Sequence, residues 1–243
     1  MTAIWNNFAK GEEALESYAD KLTALGAATA ASTDEIAAGM EKFAAVADTV
    51  ELSYTYAAAA VATVIDKTRQ SADTVGTSFK TIFARLESLS LGETLEDGVD
   101  MTKYSTALKA VGVHIMDANG NLKSMDTILD ELGAKWEALD KNRQVALAQD
   151  VGGMKQYNNF LALLDNYDSF KANVKVAEES EGTLERQGRI YASSWEAATT
   201  KVKTELEGLY DDLISDDFMI EVLDFFKDFV GVLRNVIAGM GGV

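Results

Sequence analysis

The sequence contains no cysteine, no proline and a single histidine. Without cysteine there is no disulfide framework, no thiolate zinc site and no cysteine nucleophile. At an average usage of about 5%, a chain of this length would hold roughly a dozen prolines. Their absence excludes polyproline and collagen-like structure and removes the commonest helix breaker, so long helices are favoured. Cations are scarce as well: 22 Lys and Arg stand against 39 Asp and Glu, a formal charge of -17. That balance argues against bulk nucleic-acid binding, which relies on Lys and Arg neutralising phosphates. No charge-free run of about 18 residues occurs, so no complete transmembrane helix is visible. Residues 1–10 lack a basic stretch followed by an apolar run, which predicts no signal peptide.

What is present is enough apolar material for a real core, 47% of 243 residues, in one or two domains. The acidity is spread along the chain. Residues 1–60 carry 3 basic and 9 acidic groups, and residues 166–243 carry 8 and 15. Residues 61–90 are the exception, with 4 basic and 3 acidic groups, the bases being Lys67, Arg69, Lys80 and Arg85. They suit either a negatively charged partner or pairing within the chain.

Helical periodicity dominates. A first helix is expected over 5–25, ending near Gly26. Ser32, Thr33, Asp34 and Glu35 make a polar cap with acids in the first turn. Ile36, Met40, Phe43 and Val46 follow at helical spacing on one face. Residues 53–70 are Ala-rich, and 71–88 continue with Val75, Phe79, Ile82, Phe83 and Leu86, with a bend near Ser71 or Gly76. Residues 91–100, with two glycines and four acids, read as a loop, followed by a short helix over 104–110. The one β signal lies at 111–123: Val113 and Ile115 alternate with His114 and Met116, and Asn119-Gly120 suits a tight turn because both tolerate positive φ. Helix resumes at Ser124 with a stripe of Ile128, Leu129, Leu132, Trp136 and Leu139. Two more helices, 142–150 and 154–164, are separated by Gly152 and Gly153. Residues 165–168 form a junction before a helix over 169–181. A long helix is expected from about 184 to 214. Its seam of Tyr191, Trp195, Ala198, Val202, Leu206, Leu209 and Leu213 is close to a heptad and needs a partner helix. The last helix, within 218–240, is amphipathic, with Val222, Phe225, Phe226, Phe229, Leu233 and Val236 on one face. Packing on neighbouring helices is the simpler reading, and a membrane-surface helix the sharper one, though its polar face is acidic. The final Gly-Met-Gly-Gly-Val neither caps a domain nor forms a polar tail, so the chain is expected to continue into something longer. The fold class is therefore all-α: a multi-helix, partly elongated bundle with one very short β-hairpin near 111–123.

No catalytic, cofactor or metal constellation emerges. His114 sits in the hairpin with no second histidine. Asp117, Asn119 and Asn121 superficially resemble a calcium loop. An EF-hand needs Gly at position six and Glu at twelve; here Gly120 is fourth and Ile128 twelfth. Glu93, Glu96, Asp97 and Asp100 lack a recognisable cleft to shift their pKa values. No Walker loop, dinucleotide fingerprint or nucleophile elbow occurs. The chain is not expected to be an enzyme.

One resemblance is specific. The run Thr63-Val-Ile-Asp-Lys-Thr-Arg-Gln-Ser-Ala-Asp-Thr-Val-Gly-Thr-Ser-Phe-Lys-Thr-Ile-Phe-Ala-Arg-Leu resembles the signature helix of phage tail tape-measure proteins from phages and prophages of Gram-positive bacteria. Lys103-Tyr-Ser-Thr-Ala-Leu-Lys-Ala-Val-Gly-Val is similar to the same family. So are Asp117-Ala-Asn-Gly-Asn-Leu-Lys-Ser-Met-Asp-Thr-Ile-Leu-Asp-Glu-Leu, Lys135-Trp136 and Val145-Ala-Leu-Ala-Gln-Asp-Val-Gly-Gly-Met-Lys-Gln-Tyr. Many relatives carry Arg where Lys155 stands. The resemblance divides the chain into N-terminal helices (1–52), a signature region (53–168) and a long helical region (169–243) that continues beyond a central fragment. It implies a structural virion protein lying in the tail lumen, present in the host cytoplasm during assembly. Such a protein sets tail tube length and is released ahead of DNA at infection. Its implied partners are the tail tube protein, tail assembly chaperones and other copies of itself. The alternative is a membrane-acting helical protein that meets the host membrane and assists genome delivery. The resemblance marks Arg69, Lys80 and Arg85 as motif polar positions, and Trp136 and Trp195 are the expected packing anchors.

Overall fold

The computed structural model describes residues 15–91 and 108–190, together with 8, 106, 193, 194, 199, 200 and 204. The chain divides into two compact units, Met1–Arg186 and Gln187–Val243. Among the described residues of the first are eight helices: α1 (Leu15–Ala28), α2 (Thr33–Glu41), α3 (Ala44–Thr49), α4 (Tyr54–Thr68), α5 (Ala72–Leu91), α6 (Met125–Trp136), α7 (Lys141–Asp165) and α8 (Tyr167–Glu178). No sheet forms among the described residues, so the fold is an all-α bundle. In the second unit the described residues are helical. The expected seam from Tyr191 to Leu213, including Trp195, lies outside the described residues, as do residues 92–100 and the amphipathic segment 218–240.

The bundle is built round α4. Ser53 caps its start by accepting a hydrogen bond from the Tyr56 N–H at 3.2 Å. Every residue from Ala57 to Ile65 is buried, so this helix has no solvent face. Its run of alanines lets α1, α2, α5, α7 and α8 all pack against it. It ends where Arg69 adopts a left-handed conformation, φ 57°. That residue, with Gln70 and Ser71, makes the bend before α5. Gly76 is not the bend; it lies inside α5, and a Cβ there would sit 2.2 Å from the Gly39 carbonyl oxygen of α2. The glycine is needed for close approach of two helix backbones.

Other boundaries depart from the pattern in the sequence. Helix α1 passes through Gly26 and ends at Ala28. A Cβ at Gly26 would lie 2.5 Å from Thr33 Oγ1, so this glycine serves packing on the start of α2 rather than helix termination. The polar cap expected at 32–35 is present, and there Ser32 and Glu35 form a capping box. The stripe from Ile36 to Val46 is not one helix: α2 stops at Glu41 and Phe43 precedes the separate α3. Phe43 turns inward instead, against Phe79 and Phe83, whose rings stack with centroids 5.5 Å apart.

The hairpin exists in minimal form, a single antiparallel bridge between Met116 and Leu122. Of the pair Asn119-Gly120, Gly120 alone takes positive φ, 84°. Asn119 does not; Asp117 Oδ1 instead accepts the N–H groups of Asn119 and Asn121 at 2.8 and 2.9 Å. That carboxylate is committed to the turn, which holds it below the usual carboxylate range, chiefly through the Asn121 N–H. Helix α7 is bent at Gly153, φ 69° and ψ 165°, giving the two arms that the paired glycines predict. Trp136 is buried against the junction of α7 and α8, and its Nε1 donates to Asp165 Oδ1 at 2.7 Å. No described helix is long and apolar enough to cross a membrane.

Candidate functional site

Of the named positions, Arg69 lies at the end of α4 and Lys80 and Arg85 within α5, and the fold does not gather them into one surface. Arg69 turns back to the α1–α2 loop, where its Nη1 donates to the Ala30 carbonyl at 3.1 Å. Asp66 accepts the Ala30 N–H at 2.9 Å, so the end of α4 satisfies both backbone groups of that residue. The Ala30 bond is the main reason the Asp66 carboxyl is held below its ordinary range. Lys80 is exposed. Arg85 lies five residues on, about 140° round the helix. Its guanidinium lies against Gly153, where a Cβ would meet Nη1 at 2.3 Å. Lys67 pairs with Asp66 at 3.1 Å. The basic stretch is therefore split: Lys67 and Arg69, though exposed, are engaged at the end of α4, Arg85 lies against α7, and Lys80 is exposed.

A cluster of interacting ionisable groups lies elsewhere among the described residues, where α4, α6 and α8 meet. Asp126 and Asp130 stand one turn apart on α6. Asp130 Oδ2 accepts from the Tyr56 hydroxyl at 2.8 Å, and Oδ1 from the Tyr167 hydroxyl at 3.0 Å. Lys171 Nζ donates to both carboxylate oxygens at 3.0 and 3.1 Å and to the Tyr56 hydroxyl at 2.5 Å. It also sits 4.7 Å from the centre of the Tyr56 ring, a cation–π contact. The Tyr167 ring covers Gly133, where a Cβ would fall 2.2 Å from the ring. Asp126 completes the group by accepting the Ser53 N–H at 3.0 Å, which ties the start of α6 to the start of α4.

The electrostatics make this a clamp. Burial raises the Tyr167 phenol well above its ordinary value, and the Asp130 carboxylate raises it further. Burial also raises Tyr56, opposed by the neighbouring ammonium of Lys171. For Lys171 burial acts downward, but the bonds to Tyr56 and Asp130 outweigh it and the ammonium is held protonated. Burial raises the Asp126 carboxyl against the lowering effect of Ser53. Two phenol hydroxyls and the Lys171 ammonium thus all donate to the one Asp130 carboxyl group. The arrangement holds three helices together.

Sequence reasoning did not find this cluster. Tyr56 and Lys171 are 115 residues apart, and the only local sign was the four-residue spacing of Asp126 and Asp130. A second polar joint, between α5 and α7, was equally silent. Buried Ser78 donates to Gln156 Oε1 at 2.6 Å and accepts from Asn159 Nδ2 at 2.7 Å. His114 is exposed, and among the described residues no group of three His, Asp or Glu stands where it could hold a metal ion.

The model of the phage-related minor tail protein family matches residues 1–153, which spans α1 to α6 and the first arm of α7 up to the bend. The chain belongs to that family. No solved structure matches it.

Proposed function

We propose that this phage-related minor tail protein is a tail tape measure, a structural component with no catalytic role. Family membership makes it a structural protein of the phage tail; the tape-measure role is the finer reading. The observation that carries it is a proline-free chain, matched to that family, whose described residues are mostly helical. A helix rises about 1.5 Å per residue, so residue number converts linearly into length. In the proposed role the protein lies in the tube lumen, reaches it from the host cytoplasm with tail assembly chaperones, and is surrounded by tube protein beside other copies of itself. It then leaves ahead of the DNA at infection.

The bundle makes the test quantitative. Residues 15–186 as one straight helix would span about 260 Å. As a folded unit they have a radius of gyration of about 16 Å, hence a width of roughly 40 Å. An in-frame deletion of these residues in the phage should shorten the tail in electron micrographs by about 260 Å if the segment measures length in extended form. A loss of only about 40 Å would mean that it rides in the tail folded. Tails of unchanged length would overturn the tape-measure reading.

A further inference from the structure

We propose that Asn166 is a hinge at which α8 swings off α1 and α4 to continue the second arm of α7 as one straight helix. Four observations carry this. First, the break between the helices is a single residue. Asn166 sits at φ -119°, ψ 35°, while its N–H bonds back to Leu163 and Leu164 and its carbonyl already accepts from Phe170 at 2.9 Å. Bringing that one residue to about -63°, -42° joins the two elements.

Second, nothing in the local sequence enforces the bend. Residues 154–181 contain no glycine, and the chain has no proline. Asn166 gives α8 no side-chain cap; its Nδ2 donates backward to the Ala162 carbonyl at 2.8 Å. The bend is imposed by what α8 touches.

Third, the apolar spacing ignores the bend. Phe160, Leu163, Tyr167, Phe170, Val174 and Ala177 follow one another at 3, 4, 3, 4 and 3 residues. In a straight helix these six share one face with the alternation of a heptad. In the bundle the face is divided: Phe160 and Leu163 are buried on α7, and Phe170, Val174 and Ala177 on α8. A helix pair with unrelated faces has no reason to keep one phase across its junction.

Fourth, α8 is held down by polar fastenings at its start, middle and end. Asp130 grips Tyr167 and Lys171 at the start. Asn173 Nδ2 donates to Thr63 Oγ1 at 2.9 Å in the middle. Beyond the end, buried Asp20 of α1 accepts the N–H groups of Gly182 and Leu184 at 2.8 and 2.7 Å. Only three apolar side chains of α8 are fully buried. A strap fastened by a few directional bonds is released as a unit when they exchange with water, whereas a helix seated by a broad apolar face is not. The hinge stands whether or not the chain measures a tube.

The test uses opposite substitutions at the hinge. Asn166→Ala favours a continuous helix, and Asn166→Gly disfavours it. Cysteines replacing exposed Glu16 on α1 and Glu178 on α8 carry spin labels at sites unique in a chain without native cysteine. The wild type should give a short distance, since α8 packs on α1. Asn166→Ala should add a longer-distance population, and Asn166→Gly should reduce any such population below the wild-type level. Asp130→Ala, which cuts the first fastening, should act like Asn166→Ala while hydrogen exchange in α5 stays slow. Retained far-ultraviolet helicity in the opened variants marks straightening rather than melting. Distances that do not respond to either Asn166 substitution, or that move the same way in both, would overturn the hinge. So would loss of α8 protection only together with that of the whole bundle.

Discussion

The crossing of α2 and α5 offers a direct contest between local propensity and tertiary packing. Gly76 lies within α5, where alanine is intrinsically better by about 1 kcal/mol. By helix propensity alone, Gly76→Ala is a stabilising change. The added methyl would stand 2.2 Å from the Gly39 carbonyl oxygen, 2.9 Å from Lys42 Cβ and 3.0 Å from Gly39 C. Ordinary contact begins near 3.4 Å, so α2 must move off α5 by about 1 Å. Two of the three obstructing atoms belong to helix backbone and cannot rotate aside. Overpacking of this kind costs about 1–3 kcal/mol, and a backbone obstacle places it at the upper end. Subtracting the propensity gain leaves a net loss of about 2 kcal/mol. For a unit of this size that corresponds to a fall in Tm of roughly 4–8 °C. The assay is urea unfolding of the 1–243 chain followed by far-ultraviolet circular dichroism. Thr77→Ala, one residue along on the exposed side, is the control and should stay within about 0.5 kcal/mol of wild type. If Gly76→Ala matches that control, or unfolds at higher urea than wild type, the two backbones do not meet at Gly39 and Gly76.

Asp126 gives a pH-dependent prediction. Burial raises its carboxyl, so the folded state binds its proton more tightly than the unfolded chain does, and its contribution to stability falls as pH rises through the folded value. Asp126→Asn keeps an acceptor for the Ser53 N–H and removes the charge. It should raise the urea midpoint at pH 7, and the advantage should disappear as pH drops below the ordinary carboxylate range; an advantage that grows in acid would contradict the assignment. At the other end of the bundle, Trp136→Phe removes the donor to Asp165 while filling most of the space. It should cost about 1.5–3 kcal/mol, the range for a hydrogen bond to a charged group, read from the same unfolding curves. A neutral result would mean that Asp165 is satisfied without the indole.

The sequence alone determined the helical class and most helix starts. Those features depend on short-range chemistry: Ser32, Ser53 and Ser124 each precede a helix and accept from its first turn. Apolar spacing placed Phe79, Phe83, Ile128, Leu129 and Trp136 in the core, because a helix with one apolar stripe can bury it only one way. The minimal hairpin and the bend at Gly153 were legible for the same reason, since turn and bend residues act within a few positions. The roles of Gly26 and Gly76 were not, because a glycine that ends a helix and one that admits another backbone look alike until the partner helix is known. Nor was the break at Phe43, which continues a helical pattern but turns toward the Phe79 and Phe83 rings of a helix thirty residues further on. The family resemblance found the tail protein and named Arg69, Lys80 and Arg85 together. Their scattering over a loop, an exposed helix face and a second helix was decided by the fold. The clamp of Tyr56, Asp130, Tyr167 and Lys171 belongs wholly to tertiary structure. Each residue is unremarkable on its own helix, and the interaction exists only because the alanine face of α4 lets α8 fold back beside α6.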